Sequence, residues 1–429
     1  MSPLSPVIAP LLALAATTAV GLAQGNVLVI VADDLGVDRV AAYKEHHDPG
    51  RTPNIDRLAG MGLLFRNAWS NPVCSPTRAA IMTGRYSFRT LIGKSIHVHI
   101  DHAIGLSLSE VTIPELLPPG YRSAAIGKWH LSTAADGLEH PRRQGFDTFS
   151  GGIWNLGQME GDYYRWHKVI DGERSIAPTY ATIDTTNDAI LQLESLPEPW
   201  FLYVAYHAPH PPIHAPPNRL HHFSLSGAPK DSPVIHTKAS VEALDTELGR
   251  LLTHVNFDRT TVLFLGDNGT DQSASEAPFL PEHAKGTMYE GGLNVPLIVA
   301  GSGVAPGENT ALVHAVDFFA TVAELAGVPG TTQDSISMVP YLAGDPTPRR
   351  EYVYSERFKP NGPGPYTVYD QAVRGLRYKL IRRVDGEELY DLMTDPFERN
   401  DLLRQPSLTA PQRAAYRRLD VELARILAS

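Results

Sequence analysis

The chain has 429 residues, enough for two or three average domains or for one large α/β domain with a smaller appendage. Hydrophobic residues make up 43% of the chain and charged residues 20%, which is typical of a soluble globular enzyme with a sizeable core. The formal net charge of -10 and the lack of a long basic run argue against nucleic acid as the main partner.

The N-terminus begins with an apolar stretch, residues 7–23, that has small residues near its end. Such a stretch is typical of a signal peptide cleaved near Ala23, although no Lys or Arg precedes it. Pro10 interrupts the stretch, which disfavours a stable membrane span. We therefore predict an exported protein, periplasmic or secreted, with residues 1–23 as the signal peptide. The alternative is a buried N-terminal helix.

The first predicted strand is residues 26–32, a β-branched apolar run of the kind that is buried on both faces of a sheet. Asp33 and Asp34 follow it directly. Ligands of open α/β sheets collect beyond the carboxyl ends of the strands, so this carboxylate pair is a candidate site. The alternative is a turn in which an aspartate makes local hydrogen bonds.

The segment 73–85, VCSPTRAAIMTGR, contains Cys74, the only cysteine of the chain. Pro76 suits the first turn of a helix, so residues 77–83 are predicted to be helical and to bring Arg78 back towards the sulfur. A helix N-terminus beside a fixed positive charge favours an anion, either a thiolate or a bound oxyanion. The alternative is a small, buried, apolar cysteine.

The motif CSPTR followed by AAIMTGR resembles the signature of the sulfatase family, in which the cysteine is converted after translation to formylglycine. The resemblance implies that Cys74 is modified by a formylglycine-generating enzyme during maturation. It also implies that Asp33 and Asp34, in the sequence ADD after the first strand, bind a divalent metal ion.

Three histidines, His97, His99 and His102, have a spacing that could bind a transition metal. No fourth ligand is evident in the sequence, so a polar loop is the favoured interpretation. Residues 111–117 then predict a helix that two prolines end.

The predicted buried strand 121–126 is followed by GKWHL, which resembles the second sulfatase signature, GKWHLG. Ser132 replaces the last glycine of that pattern, whereas Lys128 and His130 are kept. Two cationic or proton-handling groups after a strand are what a site for a sulfate or phosphate ester needs.

The aromatic segment 154–166 has no interpretable period, so it either lines a substrate pocket or packs as a loop. Residues 184–196 predict an amphipathic helix, and residues 200–206 predict a strand that ends in His-Ala-Pro-His. The sulfatase family has a catalytic histidine in a Pro-His dipeptide after this strand. The resemblance therefore assigns that role to His210 rather than to His207.

A further buried strand, residues 261–265, is followed by Asp267 and Asn268. Their oxygens would lie at a strand end, as would those of the first aspartate pair, so metal binding is favoured over N-glycosylation at the Asn-Gly-Thr sequon. Lys285 opens KGTMYEGGLNVP, which resembles the family pattern KGxxxEGGxRVP with Asn294 in place of arginine.

The C-terminal part begins after a predicted helix at 316–325, where two prolines mark a linker. Its predicted elements are strands at 351–355 and 377–382, a stretch at 388–402 that resembles the C-terminal region of sulfatases, and a basic amphipathic helix at 413–427. The resemblance covers nearly the whole mature chain.

The predicted fold is α/β, with a large mixed, mainly parallel central sheet covered by helices on both faces. A small C-terminal α+β domain with a short antiparallel sheet is expected beside it. We assign residues 24–345 to a sulfatase catalytic domain and residues 346–429 to a C-terminal subdomain.

Three carboxylates and an amide form an all-oxygen ligand set, which selects calcium or magnesium over zinc. The proposed ligands are Asp33, Asp34, Asp267 and Asn268. The resemblance points to calcium, with further ligands from the modified Cys74 and a sulfate oxygen. It implies hydrolysis of a sulfate monoester, in which one hydroxyl of the hydrated aldehyde attacks the sulfur and the other, once deprotonated, expels sulfate.

The resemblance also assigns roles to the remaining site residues. Asp267 would help to deprotonate the attacking hydroxyl, and Arg78 and Lys128 would hold the aldehyde hydrate. His130 would drive sulfate release. His210 and Lys285 would bind the ester oxygens and protonate the leaving group.

Two other functions stay open on the sequence. Phosphonate monoester and phosphodiester hydrolases share the fold and the Cys-x-Pro-x-Arg signature, and a non-catalytic relative would bind sulfated glycans without cleaving them. The expected substrate is a sulfated small molecule or carbohydrate, with specificity from loops such as 154–166 and 366–371.

Overall fold

The computed structural model describes residues 25–97 and 104–429, and within them ten strands form one large sheet. These strands are β1 (Asn26–Asp33), β2 (Leu63–Trp69), β3 (Arg122–Gly127), β4 (Thr148–Gly151), β5 (Trp166–Ile170), β6 (Glu173–Ala177), β7 (Trp200–Pro209), β8 (Thr260–Gly266), β9 (Leu297–Gly301) and β10 (Gly307–His314).

The strands of this large sheet lie in the order β10-β2-β9-β8-β1-β7-β3-β4-β5-β6. The five strands from β8 to β4 run parallel to one another, and β9, β5 and β6 are antiparallel to their neighbours. The predicted mixed, mainly parallel sheet is therefore confirmed. Because parallel strands have their carboxyl ends at one edge, the loops that follow β8, β1, β7 and β3 meet there.

Helices cover both faces of the large sheet and the small sheet beside it. They are α1 (Pro53–Met61), α2 (Cys74–Thr83), α3 (Ser87–Thr90), α4 (Ile113–Leu116), α5 (His140–Arg143), α6 (Ala181–Ser195), α7 (Pro233–Leu252), α8 (Glu290–Leu293), α9 (Asp317–Leu325), α10 (Val339–Leu342) and α11 (Ala410–Ala428). The helix predicted at 111–117 is only the single turn α4, which Thr112 and Glu115 cap.

Strand β1 is buried on both faces, as its unbroken apolar run predicts. Val29 and Val31 point into a core shared with α2 and α9. Leu28 and Ile30 point into a second core, shared with α1, α6 and α7. The alternation of side chains along one strand therefore holds together the helical layers on both sides of the sheet.

The C-terminal part forms a second, antiparallel sheet in the order β11-β12-β13-β14. Its strands are β11 (Val353–Lys359), β12 (Val368–Arg374), β13 (Tyr378–Arg383) and β14 (Gly386–Asp391). Leu419 and Leu423 of α11 pack on this sheet against Val373, Leu380 and Leu389. The predicted small antiparallel sheet is confirmed.

The prediction that residues 366–371 form a loop is wrong. Most of it belongs to β12, which pairs with β11 on one side and with β13 on the other. The polar residues Asp370 and Gln371 break the apolar alternation that identifies a strand, but both are buried between neighbouring strands.

The predicted signal peptide, His99 and His102 lie outside the described residues. In the described ranges, no helix is long and apolar enough to cross a membrane.

The two sheets share a core in which Trp69 and Leu293 pack against Val353 and Ile381.

Candidate active site

Four neighbouring strands deliver the predicted site residues to one edge of the large sheet. Asp33 is the last residue of β1, and Lys128 follows β3 directly. His210 follows β7, and Asp267 follows β8. Since β8, β1, β7 and β3 are consecutive in the sheet, side chains that are far apart in sequence meet at this edge.

Helix α2 adds Cys74 and Arg78, which lie one helical turn apart on the same face. The helix predicted at 77–83 is confirmed and begins at Cys74 itself. The Arg78 guanidinium is fully buried; its Nη2 donates to Asp267 Oδ2 at 2.8 Å and its Nη1 donates to the Lys128 carbonyl at 2.9 Å. Arg78 thus ties the helix to the ends of β8 and β3.

The Cys74 thiol lies in surroundings that disfavour its ionisation. Burial and the negative charge of Asp33 raise the thiol pKa well above its usual value, and Lys128 and Lys285 oppose this only in part. Of the two anions that the sequence left open at this helix N-terminus, a thiolate or a bound oxyanion, the thiolate is therefore disfavoured. The desolvated sulfur and the adjacent carboxylates outweigh the helix N-terminus and the nearby cations.

Asp33 is fully buried among positive charges. Lys128 Nζ donates a hydrogen bond to its Oδ2, and Arg78 Nη2 lies 3.8 Å from its Oδ1. Burial alone would raise the pKa of Asp33, but the positive charges of Lys128 and Arg78 lower it well below its usual value. Asp33 is therefore ionised at neutral pH.

Asp34 and Asp267 form a second acidic pair beside it. The Asp34 backbone N–H donates to Asp267 Oδ1 at 3.0 Å, and Lys285 Nζ lies 2.6 Å from Asp34 Oδ2. Burial and the nearby Asp33 charge raise the pKa of Asp34 to about 6 and that of Asp267 to about 7. Three carboxyl groups thus repel one another in a space that a divalent cation would neutralise.

Ligand atoms of Asp33, Asp34, Cys74 and His210 all lie within 4.8 Å of one another. Asn268 adjoins this group, because its Nδ2 donates to Asp34 Oδ1 at 2.8 Å. Asp33 Oδ1 and Asn268 Oδ1 are buried and have no hydrogen-bond partner among the described residues. These free oxygens fit a hard cation such as calcium or magnesium. Asn268 is fully buried, which argues against its sequon as a glycosylation site.

His130 and His210 are both neutral at pH 7. Burial and nearby lysines lower the pKa of each imidazole well below its usual value. His130 Nε2 lies 2.9 Å from the Ile96 carbonyl, which fixes the ring, and in the described chain its Nδ1 has no partner. That nitrogen therefore offers a free lone pair, while burial and the charge of Lys128 disfavour a positive charge on the ring. His130 itself has φ 58°, whereas Ser132, where the family has glycine, does not have a positive φ.

Two polar residues of β7 are buried near the site: Tyr203, which the sequence analysis missed, and His207, which it considered and set aside in favour of His210. The Tyr203 hydroxyl lies near Arg78, and burial raises its pKa to about 12. Burial and the charge of Lys128 lower the pKa of His207 to about 3. Tyr203 interacts with Arg78, and His207 interacts with the backbone of Trp154. The signal was their spacing of four along a strand, which puts both on one face.

The aromatic segment 154–166 packs as a loop behind the site. Trp154, Leu156 and Tyr163 are buried. The Tyr163 hydroxyl lies 2.8 Å from the His207 carbonyl and 2.7 Å from the His210 carbonyl. These three side chains pack as one of the two alternatives predicts, and Tyr163 supports the turn that carries His210.

Comparison with known families identifies two matches. The family described as Sulfatase matches residues 25–328, and the C-terminal region of N-sulphoglucosamine sulphohydrolase matches residues 282–424. Human arylsulfatase A is 30% identical over 429 aligned residues, which cover 90% of this chain and 80% of that protein. Human N-acetylgalactosamine-6-sulfatase is 32% identical and covers 74% of this chain and 65% of that protein.

Solved structures have the same fold. The crystal structure of Ps i-CgsB in complex with k-i-k-neocarrahexaose aligns with a TM-score of 0.77 at 26% identity and covers 92% of each chain. The structure of BT4656 in complex with D-glucosamine-2-N,6-O-disulfate aligns with a TM-score of 0.74 at 23% identity and covers 95% of this chain and 99% of that one. With these matches, the chain belongs to the sulfatase family of enzymes.

Proposed function

We propose that this sulfatase hydrolyses a sulfate monoester to an alcohol and inorganic sulfate through a formylglycine formed from Cys74 and a bound calcium ion, with magnesium as the alternative. The observation that carries the proposal is that one ligand atom from each of Cys74, Asp33, Asp34 and His210 lies within 4.8 Å of the others. A thiolate is disfavoured there, whereas a hydrated aldehyde would supply an uncharged hydroxyl nucleophile.

The cation would be held by Asp33, Asp34, Asp267 and Asn268, with residue 74 beside it. When bound, it would neutralise charge on the sulfate oxygens and on the attacking hydroxyl. The free oxygens of Asp33 and Asn268 and the mutual repulsion of the carboxyl groups support this assignment.

The cationic side chains would bind and orient the reacting groups. Arg78 donates a hydrogen bond to the Lys128 carbonyl, so the two residues are neighbours. Their cationic side chains would hold the two hydroxyls at residue 74. Lys285 keeps its charge beside Asp34, because the carboxylate offsets the effect of burial and raises the lysine pKa. Lys285 and His210 would bind the ester oxygens, and Lys285, which carries a proton, would deliver it to the leaving alcohol.

Two groups are suited to accept protons. Asp267, with a pKa of about 7, would take the proton of the attacking hydroxyl. His130 is neutral and has a free Nδ1, so it would take the proton of the second hydroxyl and thereby release sulfate.

We further propose that the substrate is a sulfated carbohydrate or a smaller sulfate ester. This class is supported by a relative named N-acetylgalactosamine-6-sulfatase and by a structural neighbour solved with D-glucosamine-2-N,6-O-disulfate. Export after cleavage near Ala23, maturation by a formylglycine-generating enzyme, and division into residues 24–345 and 346–429 belong to the same proposal.

Replacing Cys74 with alanine tests the function. We expect release of sulfate from aryl and sugar sulfates to fall by at least about 10³-fold, because the nucleophile is gone. Thermal unfolding of the variant serves as the folding control. Undiminished turnover would remove residue 74 from the mechanism. Faster cleavage of phosphonate monoesters or phosphodiesters than of sulfate esters by the unsubstituted enzyme would favour the related hydrolase activity.

A further inference from the structure

The small C-terminal sheet contacts both loops that carry the proposed reacting groups. Ser355 and Arg357 are two residues apart on β11, so their side chains point to the same side of the strand. Ser355 Oγ donates to the Ser70 carbonyl at 3.1 Å, in the segment that leads to Cys74. Arg357 Nη1 donates to the Gly286 carbonyl, directly after Lys285.

Arg357 is itself held in a fixed position. It lies opposite Asp370 in the pairing of β11 with β12. Its Nε donates to Asp370 Oδ2 at 3.1 Å, and its Nη2 donates to the same oxygen. The guanidinium is planar and has donors on two sides, so it can bind the carboxylate and the Gly286 carbonyl together. A lysine could not do this with the same geometry.

Gly286 connects the loop that carries Lys285 to the loop that leads to Cys74. Its N–H donates to the Pro72 carbonyl at 2.8 Å, and its φ of 82° is one that glycine adopts without strain. The Lys285 N–H donates to the Thr270 carbonyl at 3.1 Å. Arg357 therefore fixes the carbonyl side of a turn whose N–H side is already bound to the approach to Cys74.

We propose that Arg357, oriented by Asp370, is a positioning residue that holds the Lys285–Gly286 turn so that the Lys285 ammonium faces the ester. This inference rests on the proposed function, which gives Lys285 its role at the leaving group. Without the Arg357 contact, the turn keeps its bond to Pro72 but loses the restraint on the Gly286 carbonyl. The Lys285 ammonium then keeps its ion pair with Asp34, but its backbone is less restrained and the ammonium samples positions away from the ester.

The Arg357–Asp370 pair is mostly buried, because the Arg357 side chain is 27% exposed and the Asp370 side chain 11%. Arg357→Gln leaves the Asp370 carboxylate without its cation, so some loss of stability is expected as well. Thermal unfolding of the variant measures that loss separately from the effect on the Lys285–Gly286 turn. A loss of activity in a variant that remains folded is the signature of the proposed role. Arg382 offers a matched control, because it lies in the same sheet, is 30% exposed, and pairs with Glu387 and Asp420.

The test is a double-mutant cycle of Arg357→Gln with Lys285→Ala, assayed on sulfate esters. In the unsubstituted enzyme we expect Arg357→Gln to lower kcat/KM by about 10- to 100-fold. The loss should be larger for a sugar sulfate than for an aryl sulfate, whose alcohol leaves more easily without a proton. In the Lys285→Ala background the same substitution should cost less than about 2-fold. Arg382→Gln should change neither rate.

Three outcomes separate the inference from the function on which it rests. Equal losses from Arg357→Gln in both backgrounds would overturn the positioning role and leave the proposed function intact. Full activity of Lys285→Ala on every sulfate ester would instead remove the role of Lys285 itself. If Arg357→Gln does not fold, Asp370→Asn gives the same cycle with the arginine in place, and additivity there would equally overturn the inference.

Discussion

Residue 74 lies where an ordinary cysteine would be a weak nucleophile. Its thiol is buried, and Asp33 and Asp267 oppose the formation of a thiolate. The same carboxylates suit a cation and a neutral hydroxyl, because neither adds to the negative charge of the site. The chemistry of the site is thus consistent with a modified residue at this position and not with a reactive thiol.

Calcium should stabilise the protein increasingly as the pH rises. Asp34 and Asp267 have pKa values of about 6 and about 7, and a cation binds their ionised forms. Without a cation, both groups hold protons more tightly in the folded chain than in the unfolded chain, where the pKa is about 4. Their contribution to stability therefore falls as the pH rises from about 4 to about 7.

Thermal unfolding with calcium or with a chelator measures this effect. The gain in Tm from calcium should be small at pH 5 and reach its full size near pH 8. Asp34→Asn removes one of the titrating groups and should reduce the gain at pH 8. A gain that is equal at both pH values would contradict the proposed ligand set.

Sequence motifs identified which residues form the site, but they did not predict the pKa values of those residues. Cys74, Lys128 and His210 were found because they stand in recognisable patterns. The raised thiol pKa could not be predicted, because it depends on Asp33 and on burial, which only the folded chain creates. Tyr203 has no motif and was missed for the same reason.

At the scale of elements, the β3–β7 pairing controls the position of Lys128. Gly127 ends β3 with φ 90°, and a Cβ added there would lie 2.0 Å from the Ala205 carbonyl oxygen. Gly127→Ala should therefore displace the strand end and destabilise the fold by at least about 2 kcal/mol, with loss of activity.

Gly60→Ala is the matched control for Gly127→Ala. Gly60 lies in helix α1, and nothing is within 4 Å of a Cβ added there. Alanine should stabilise the helix by about 0.5–1 kcal/mol and leave activity unchanged. Urea unfolding of both variants gives the comparison, and equal free energies of unfolding would contradict the assigned strain.

The four strands that lead into the site have long apolar runs, and these runs made them predictable. The predicted ends of these strands lie within three residues of the observed ends in β1, β3, β7 and β8. The hairpin of β5 and β6 was missed, because its outer strand is mostly exposed and carries charged residues. Such edge strands are defined by their hydrogen bonds rather than by a pattern of burial.

At the scale of the whole molecule, the two sheets depend on each other. Lys379 of the small sheet is fully buried and pairs with Glu290 and Glu398. Arg374 also pairs with Glu290, at 2.7 Å. Glu290 belongs to α8, which directly follows the Lys285 loop. The boundary proposed at residue 346 therefore separates segments of sequence that pack into a common core.

Removing residues 346–429 should prevent folding rather than release an active domain. The truncated chain would expose Trp69 and Leu293 and leave the Glu290 charge buried without its cationic partners. An uncompensated buried charge alone costs about 3–5 kcal/mol. Solubility and circular dichroism of residues 24–345 check this, and a folded, active fragment would contradict it.

The most direct test of the account relates activity to the state of residue 74. Preparations with different degrees of conversion can be ranked by intact mass, since formylglycine is about 18 Da lighter than cysteine. We predict that the rate of sulfate release, with calcium present, is proportional to the converted fraction and extrapolates to zero for the unmodified chain. Substantial turnover by chains that all retain the Cys74 thiol would contradict the account.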